Sequence, residues 1–201
     1  MASVLVPLAE GCEELEAITI VDLLRRAGIE VVTAGLADGP VRCSRGTVIV
    51  PDTTLDAVLD RDFDMLVLPG GLPGADHLEA DPRIRDLLRK MADSGRWTGA
   101  ICAAPKVLAS AGLLDGRHAT SYPGSLDGKP VKAMIYEEKP VVVDGKVVTS
   151  RGPGTAMDFA LTLIELLEGK GKRDEVEKAL MRPWEKSNAK ARESPLFERH
   201  V

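Results

Sequence analysis

The chain has 201 residues, 44% hydrophobic and 28% charged, proportions that suit one globular domain with a full core better than two marginal halves. A net charge of −5, with no basic stripe among the first 170 residues, argues against a dedicated nucleic-acid or anionic-membrane surface and points to a small-molecule or protein partner. No apolar run approaches the roughly 20 residues that cross a bilayer, and the N-terminus lacks a basic segment followed by an apolar one, so a cytoplasmic protein is expected. Cys12, Cys43 and Cys102 form an odd set without CxxC or His-rich spacing, which favours reduced thiols over a disulfide framework or a structural zinc site. Aromatics are only 3%, so the core must be aliphatic.

In chain order, Ser3 to Leu8 is a short apolar strand, after which Leu15, Ile18, Val21 and Leu24 recur at helical spacing up to Gly28. Glu30 to Gly35 is a second strand, completing a right-handed βαβ unit and predicting a parallel sheet. Val41–Cys43 and Thr47–Val50 flank Ser44-Arg45-Gly46, which reads as a hairpin added to the sheet edge and stopped by Pro51. Met65 to Leu68 is a strand broken by Pro69-Gly70-Gly71-Leu72-Pro73-Gly74, and Pro82 to Ser94 is a helix. Trp97 to Ile101 is a strand that runs straight into Cys102-Ala-Ala-Pro105 and a helix from Lys106 to Ala111. Val141 to Thr149 folds about an Asp-Gly turn as a hairpin, and Thr155 to Leu167 is a helix. After Gly169 the composition becomes charged. The domain reading is a body over 1–170 and a C-terminal segment over 171–201, with a helix from Asp174 to Met181 and a polar tail that Trp184 or Phe197 is able to anchor.

In an open parallel sheet, ligands bind outside the carboxyl ends of the strands. Three loops belong there: Gly11 to Glu16, Pro69 to Gly74, and Cys102 to Pro105. A cysteine between a strand and a helix start lies near unpaired N–H groups and the positive end of the helix dipole, which favour thiolate. From local context it reads equally as a small buried hydrophobe ending a strand. Gly70 and Gly71 either shape a tight turn or bring an N–H to a ligand, forming an oxyanion pocket with the Ala103 amide. Glu13, Glu14 and Glu16 open a helix, where carboxylates are favoured. One of them, protonated, is able to donate a hydrogen bond to a thiolate, and the residues alone leave open which.

Six blocks in register carry a resemblance: Ala9-Glu-Gly-Cys-Glu-Glu-Leu-Glu16, Leu23-Leu-Arg-Arg-Ala-Gly28, Cys43-Ser-Arg-Gly46, Leu68-Pro-Gly-Gly71, Ala100-Ile-Cys-Ala-Ala-Pro105 and Thr149-Ser-Arg-Gly-Pro-Gly-Thr155. The chain resembles the ThiJ/PfpI superfamily, specifically its DJ-1-like branch. That resemblance implies an α/β, flavodoxin-like three-layer sandwich with a mostly parallel sheet. Cys102 is the implied nucleophile-elbow cysteine, Glu16 the carboxyl bonded to it, and the amides of Gly71 and Ala103 face the sulfur. It further implies a homodimer with the Arg45 hairpin near the two-fold and Arg25 or Arg26 close by.

By the same resemblance, the implied function is stress protection by glyoxalase or deglycase chemistry on a small aldehyde or glycated substrate, without metal, glutathione or other cofactor. Alternatives are a redox-sensing chaperone whose Cys102 oxidises to a sulfinate, and a cysteine peptidase or amidotransferase-like hydrolase. One departure stands out. Many relatives place a histidine near the active cysteine, whereas this chain has Tyr122 in Thr120-Ser-Tyr-Pro123, with His118 the nearest substitute in sequence. A Cys-His dyad is therefore not expected, which weakens both the peptidase reading and that of an efficient glyoxalase.

Overall fold

The computed structural model describes residues 1–182. Strand β1 (Ser3–Leu8) is apolar from Val4 onward because both its faces are covered: Val4, Val6 and Leu8 point to one helical layer and Leu5 to the other. Helix α1 (Glu14–Arg26) ends where Gly28 takes φ +78°, and β2 (Glu30–Gly35) returns parallel to β1. Two short antiparallel strands, β3 (Val41–Arg42) and β4 (Val48–Ile49), precede β5 (Thr53–Thr54). Strand β6 (Met65–Leu68) leads to α2 (Gly74–Ala80) and α3 (Pro82–Asp93), where Pro82 starts α3 and Asp81 caps it by accepting from the Arg83 N–H at 2.9 Å. Strand β7 (Trp97–Ile101) and α4 (Pro105–Ser110) follow, then β8 (His118–Ala119) and β9 (Ile135–Tyr136). The hairpin β10 (Val141–Asp144) and β11 (Val147–Ser150) is followed by α5 (Ala156–Glu168) and α6 (Lys170–Ala179).

The main sheet runs β10-β11-β7-β6-β1-β2-β5, all parallel except β10. Helices α1, α5 and α6 cover one face and α2, α3 and α4 the other, giving the three layers of a flavodoxin-like α/β sandwich. Because the chain leaves β1 for β2 on one side and later enters β6 on the other, the order reverses between β1 and β6. In open parallel sheets the ligand crevice lies at such a reversal, outside the carboxyl ends of the strands. All three loops singled out above arrive at that end.

Several expectations are corrected. The Cys43–Thr47 hairpin does not extend the main sheet: β3 and β4 form a separate two-stranded sheet, and the edge strand is β5. The hairpin is held instead by the Glu14 carboxylate, which accepts from the N–H of Arg45 at 3.0 Å and of Thr47 at 3.3 Å. On α1, Leu15 and Ile18 are 51% and 47% exposed, because the buried face is centred on Ala17, Ile20, Val21 and Leu24. Helix α2 begins at Gly74, the last residue of the expected loop, and fills the stretch before Pro82 for which no element was expected. Helix α6 begins at Lys170, not Asp174, and seats Val176 in the core beside α5. Trp184 and Phe197 lie outside the described residues. Among the described residues no helix is long and apolar enough to cross a membrane.

Phe159 of α5 is fully buried over the sheet, where its ring would be 3.3 Å from a Cβ placed on Gly99 of β7. Truncating it removes the largest fully buried side chain among the described residues and leaves a void. Phe159→Ala should cost about 3–5 kcal/mol in urea unfolding at unchanged fold by circular dichroism.

Candidate active site

Cys102 follows β7 with φ +62°, a left-handed conformation that costs a residue with a Cβ roughly 1–2 kcal/mol. The turn is held from both sides: the Cys102 N–H donates to Ser150 O at 2.9 Å, and the Tyr122 N–H donates to Cys102 O at 2.8 Å. The strained turn lifts the side chain out of the strand into the crevice, where the amides of Gly71 and Ala103 donate toward the sulfur. Cys102 retains 8% exposure. The simple reading of Cys102 as the last apolar residue of a regular strand does not fit this backbone.

The three glutamates of α1 divide their work. Glu13 caps the helix, its carboxylate accepting from the Glu16 N–H at 2.7 Å. Glu14 turns outward to the β3–β4 hairpin. Glu16 turns inward, has no exposure at all, and accepts from the Gly70 N–H at 2.8 Å through Oε2. Its Oε1 has no well-aligned hydrogen-bond partner among the described residues, and the Cys102 thiol is the neighbour whose interaction with the carboxyl is felt by both groups.

Gly70 explains how closely these parts meet. A Cβ there would lie 2.7 Å from the Cys102 Cβ and 2.8 Å from Glu16 Oε2, so only glycine lets the two side chains share this wall. Gly71, at φ +86°, packs equally hard against the first loop, where a Cβ would come 2.4 Å from Glu13 N. The Glu13 N–H in turn donates to Gly70 O at 2.9 Å, latching the first loop to the double-glycine turn. Neither that latch nor the amides that hold the elbow are visible in residue types, because all are backbone groups.

Burial pushes the Glu16 carboxyl up to about 7, against the Gly70 N–H that favours its charge. Burial also pushes the Cys102 thiol up, to about 12 beside an ionised Glu16, whose negative charge adds to the rise, while the amides of Gly71 and Ala103 pull it down. The expected thiolate-favouring environment is thus only half present, since the amides are there and water is not. The two groups form one coupled pair: with the proton on Glu16, the charge that raises the thiol disappears.

The remaining candidates lie around this centre or away from it. Tyr122 adjoins Cys102 through its backbone and exposes 53% of its surface, with its ring near Gly152. Arg45 sits on the hairpin, tied to Glu14 through its backbone, and Arg25 and Arg26 pair with Asp52 and Asp22 on the surface. His118 pairs with Glu137, and His77 Nδ1 contacts Glu10 O at 2.9 Å. Both described imidazoles are therefore engaged away from Cys102.

Residues 2–166 match the DJ-1/PfpI family. The chain is 49% identical over 181 residues to protein dj-1beta of Drosophila melanogaster, covering 89% of this chain and 96% of that protein. The crystal structure of Drosophila DJ-1beta superposes with a TM-score of 0.85 at 46% identity, covering 91% of this chain and 99% of that one. Oxidised Toxoplasma gondii DJ-1 superposes with a TM-score of 0.87 at 40% identity, covering 92% of this chain and all 100% of that one. A glutathione-independent glyoxalase of Caenorhabditis elegans, DJR-1.2, is 40% identical over 179 residues, covering 89% of this chain and 95% of that protein.

The raised carboxyl has a consequence for stability. Glu16 titrates near 4.5 when unfolded and near 7 when folded, so its favourable contribution is complete below pH 4.5 and is lost as pH rises through 7. Glutamine has no such titration. Relative to wild type, Glu16→Gln should therefore gain up to about 3 kcal/mol of unfolding free energy between the two pH values, read by urea denaturation at each. A difference that stays flat with pH would show that burying Glu16 carries no charge penalty.

Proposed function

The chain belongs to the DJ-1/PfpI family, and we propose that it protects against reactive carbonyls, converting small 2-oxoaldehydes to hydroxy acids through Cys102 and Glu16. The observation that carries this reading is the buried Glu16 carboxyl, pushed up to about 7 and sharing the Gly70 wall with the Cys102 side chain. A group that titrates near neutrality both gives and takes protons effectively at working pH. The glyoxalase named among the relatives supports the same chemistry.

With methylglyoxal, the Cys102 sulfur adds to the aldehyde carbon as Glu16 supplies a proton to the oxygen, giving a hemithioacetal. The Glu16 carboxylate then takes the proton from that carbon, and the resulting enediol is protonated at the neighbouring carbon to leave a thioester. Water hydrolyses the thioester to lactate and returns the free thiol. The net change is addition of one water. The amides of Gly71 and Ala103 face the sulfur and favour its anionic form. With both described imidazoles engaged elsewhere, the peptidase reading finds no imidazole base among the described residues.

Lactate formed from methylglyoxal tests this directly. Turnover should vanish in Cys102→Ser and fall at least about 100-fold in Glu16→Gln. Undiminished turnover in Cys102→Ser would sink the proposal.

The active unit in this reading is a homodimer. Leu15 and Ile18 of α1, with Val48 and Val50 of the hairpin held by Glu14, leave apolar side chains between 47% and 77% exposed, and a second copy is the occupant proposed to cover them. Sedimentation at micromolar concentration should give a dimer for wild type and a monomer for Ile18→Glu. A monomeric wild type would refute it.

A further inference from the structure

Cys12 and Cys43 take no part in the chemistry above. Both are buried, at 1% and 4% exposure, and their Sγ atoms lie 3.6 Å apart although the residues are 31 positions apart in sequence. Backbone pairing brings them together. The Gly11 N–H donates to Arg42 O and the Ser44 N–H donates to Cys12 O, each at 2.8 Å, so hydrogen bonds bracket the sulfur pair on both sides. The Cys43 N–H donates to Thr47 O, also at 2.8 Å, and Glu14 secures the intervening turn. The two sulfurs are thus held face to face by a frame that does not depend on them.

We propose that Cys12 and Cys43 are a second redox centre, a dithiol that closes reversibly to an intrachain disulfide stapling the β1–α1 loop to the β3–β4 hairpin. A disulfide bond is about 2.05 Å long, so the sulfurs need to approach by only about 1.5 Å from their present separation. Cys43 is the sulfur oxidised first. It is the less buried of the two, and the Cys12 S–H, as donor, favours a Cys43 thiolate while the pairing raises Cys12 further. Burial raises both thiols, and the carboxylates of Glu14, Glu10 and Glu13 oppose a thiolate at Cys43, so the pair rests as two thiols, and closing it, a two-electron oxidation, is slow until an oxidant enters.

A hydroperoxide is the oxidant class that fits so closed a site. The Cys43 sulfur attacks the peroxide oxygen, the O–O bond breaks, and a sulfenic acid forms with release of water or alcohol. The Cys12 sulfur then displaces that hydroxyl: the S–S bond forms, the S–O bond breaks, and a second water leaves. Two thiols lose two hydrogens and one peroxide is reduced. An external dithiol reverses the step by exchange.

The staple bears on the candidate active site through the backbone alone. Cys12 precedes Glu13, whose N–H holds Gly70 O at 2.9 Å, and a Cβ on Gly71 would meet Cys12 C at 2.8 Å. Closing the disulfide therefore ties down the surface on which the Gly70-Gly71 turn rests.

The experiment is hydrogen peroxide treatment of the full chain, as wild type and as Cys102→Ser, followed by alkylation under denaturing conditions and peptide mass spectrometry. Both proteins should lose two hydrogens in a peptide pair joining Cys12 to Cys43, dithiothreitol should restore both free thiols, and Cys43→Ala should lack the link. Oxygens added at Cys102 in wild type are a separate event and leave this readout unchanged. The proposal is overturned if Cys12 and Cys43 are both alkylated after peroxide, if they gain oxygens in place of the link, or if the bridge joins two chains. The wild-type peptide map decides even if the alanine variant fails to fold.

Discussion

Glu16 puts a carboxyl group, stripped of water, where the loops after β1, β6 and β7 meet, and its one aligned hydrogen bond among the described residues comes from the Gly70 N–H at 2.8 Å. A carboxylate in such a place is costly unless it is protonated or its charge is shared, and its raised pKa expresses that cost. Much of the local architecture serves to keep it there. Glu13 anchors the start of α1, the Glu13 N–H latches the double-glycine turn, and Gly70 is stripped of a side chain so that the Cys102 Cβ can close the remaining side.

In the proposed chemistry, the same arrangement lets a thiol act without an imidazole beside it among the described residues. A histidine partner supplies a positive charge that holds a thiolate. A protonated carboxyl supplies only a hydrogen bond, and an ionised one opposes the thiolate outright. The position of a single proton between Glu16 and Cys102 consequently decides whether the sulfur is a nucleophile, and the backbone amides of Gly71 and Ala103 tilt that balance without titrating.

Much of this was legible in residue types and spacing. The strands Glu30–Gly35, Met65–Leu68 and Trp97–Ile101 match their apolar runs because a doubly covered parallel strand has no polar face to blur its ends. The Asp144-Gly145 hairpin was equally plain. Spacing misled at α1, where Leu15 and Ile18 continue an apolar period yet lie outside the buried face, and at the β3–β4 hairpin, whose docking depends on a carboxylate contact distant in sequence. Family resemblance, rather than chemistry read from the residues, singled out Glu16 among three near-equivalent glutamates. The geometry gives the reason, since only Glu16 lies on the inward face one turn into the helix. The Cys12–Cys43 contact was invisible because it depends on two backbone bonds between segments about thirty positions apart.

The way the main sheet ends has a further effect. Exposed sheet edges invite other chains to add strands, and long flat edges are the usual route to aggregation. Here one border is β5, only two residues long, and the other is β10, which runs against its neighbour and turns back through a tight hairpin. A stray strand meets almost no ladder on the first side and a short arm of four residues on the second. In the proposed role, with oxidants and aldehydes damaging its surroundings, the protein gains from borders that give partly unfolded neighbours so little to pair with.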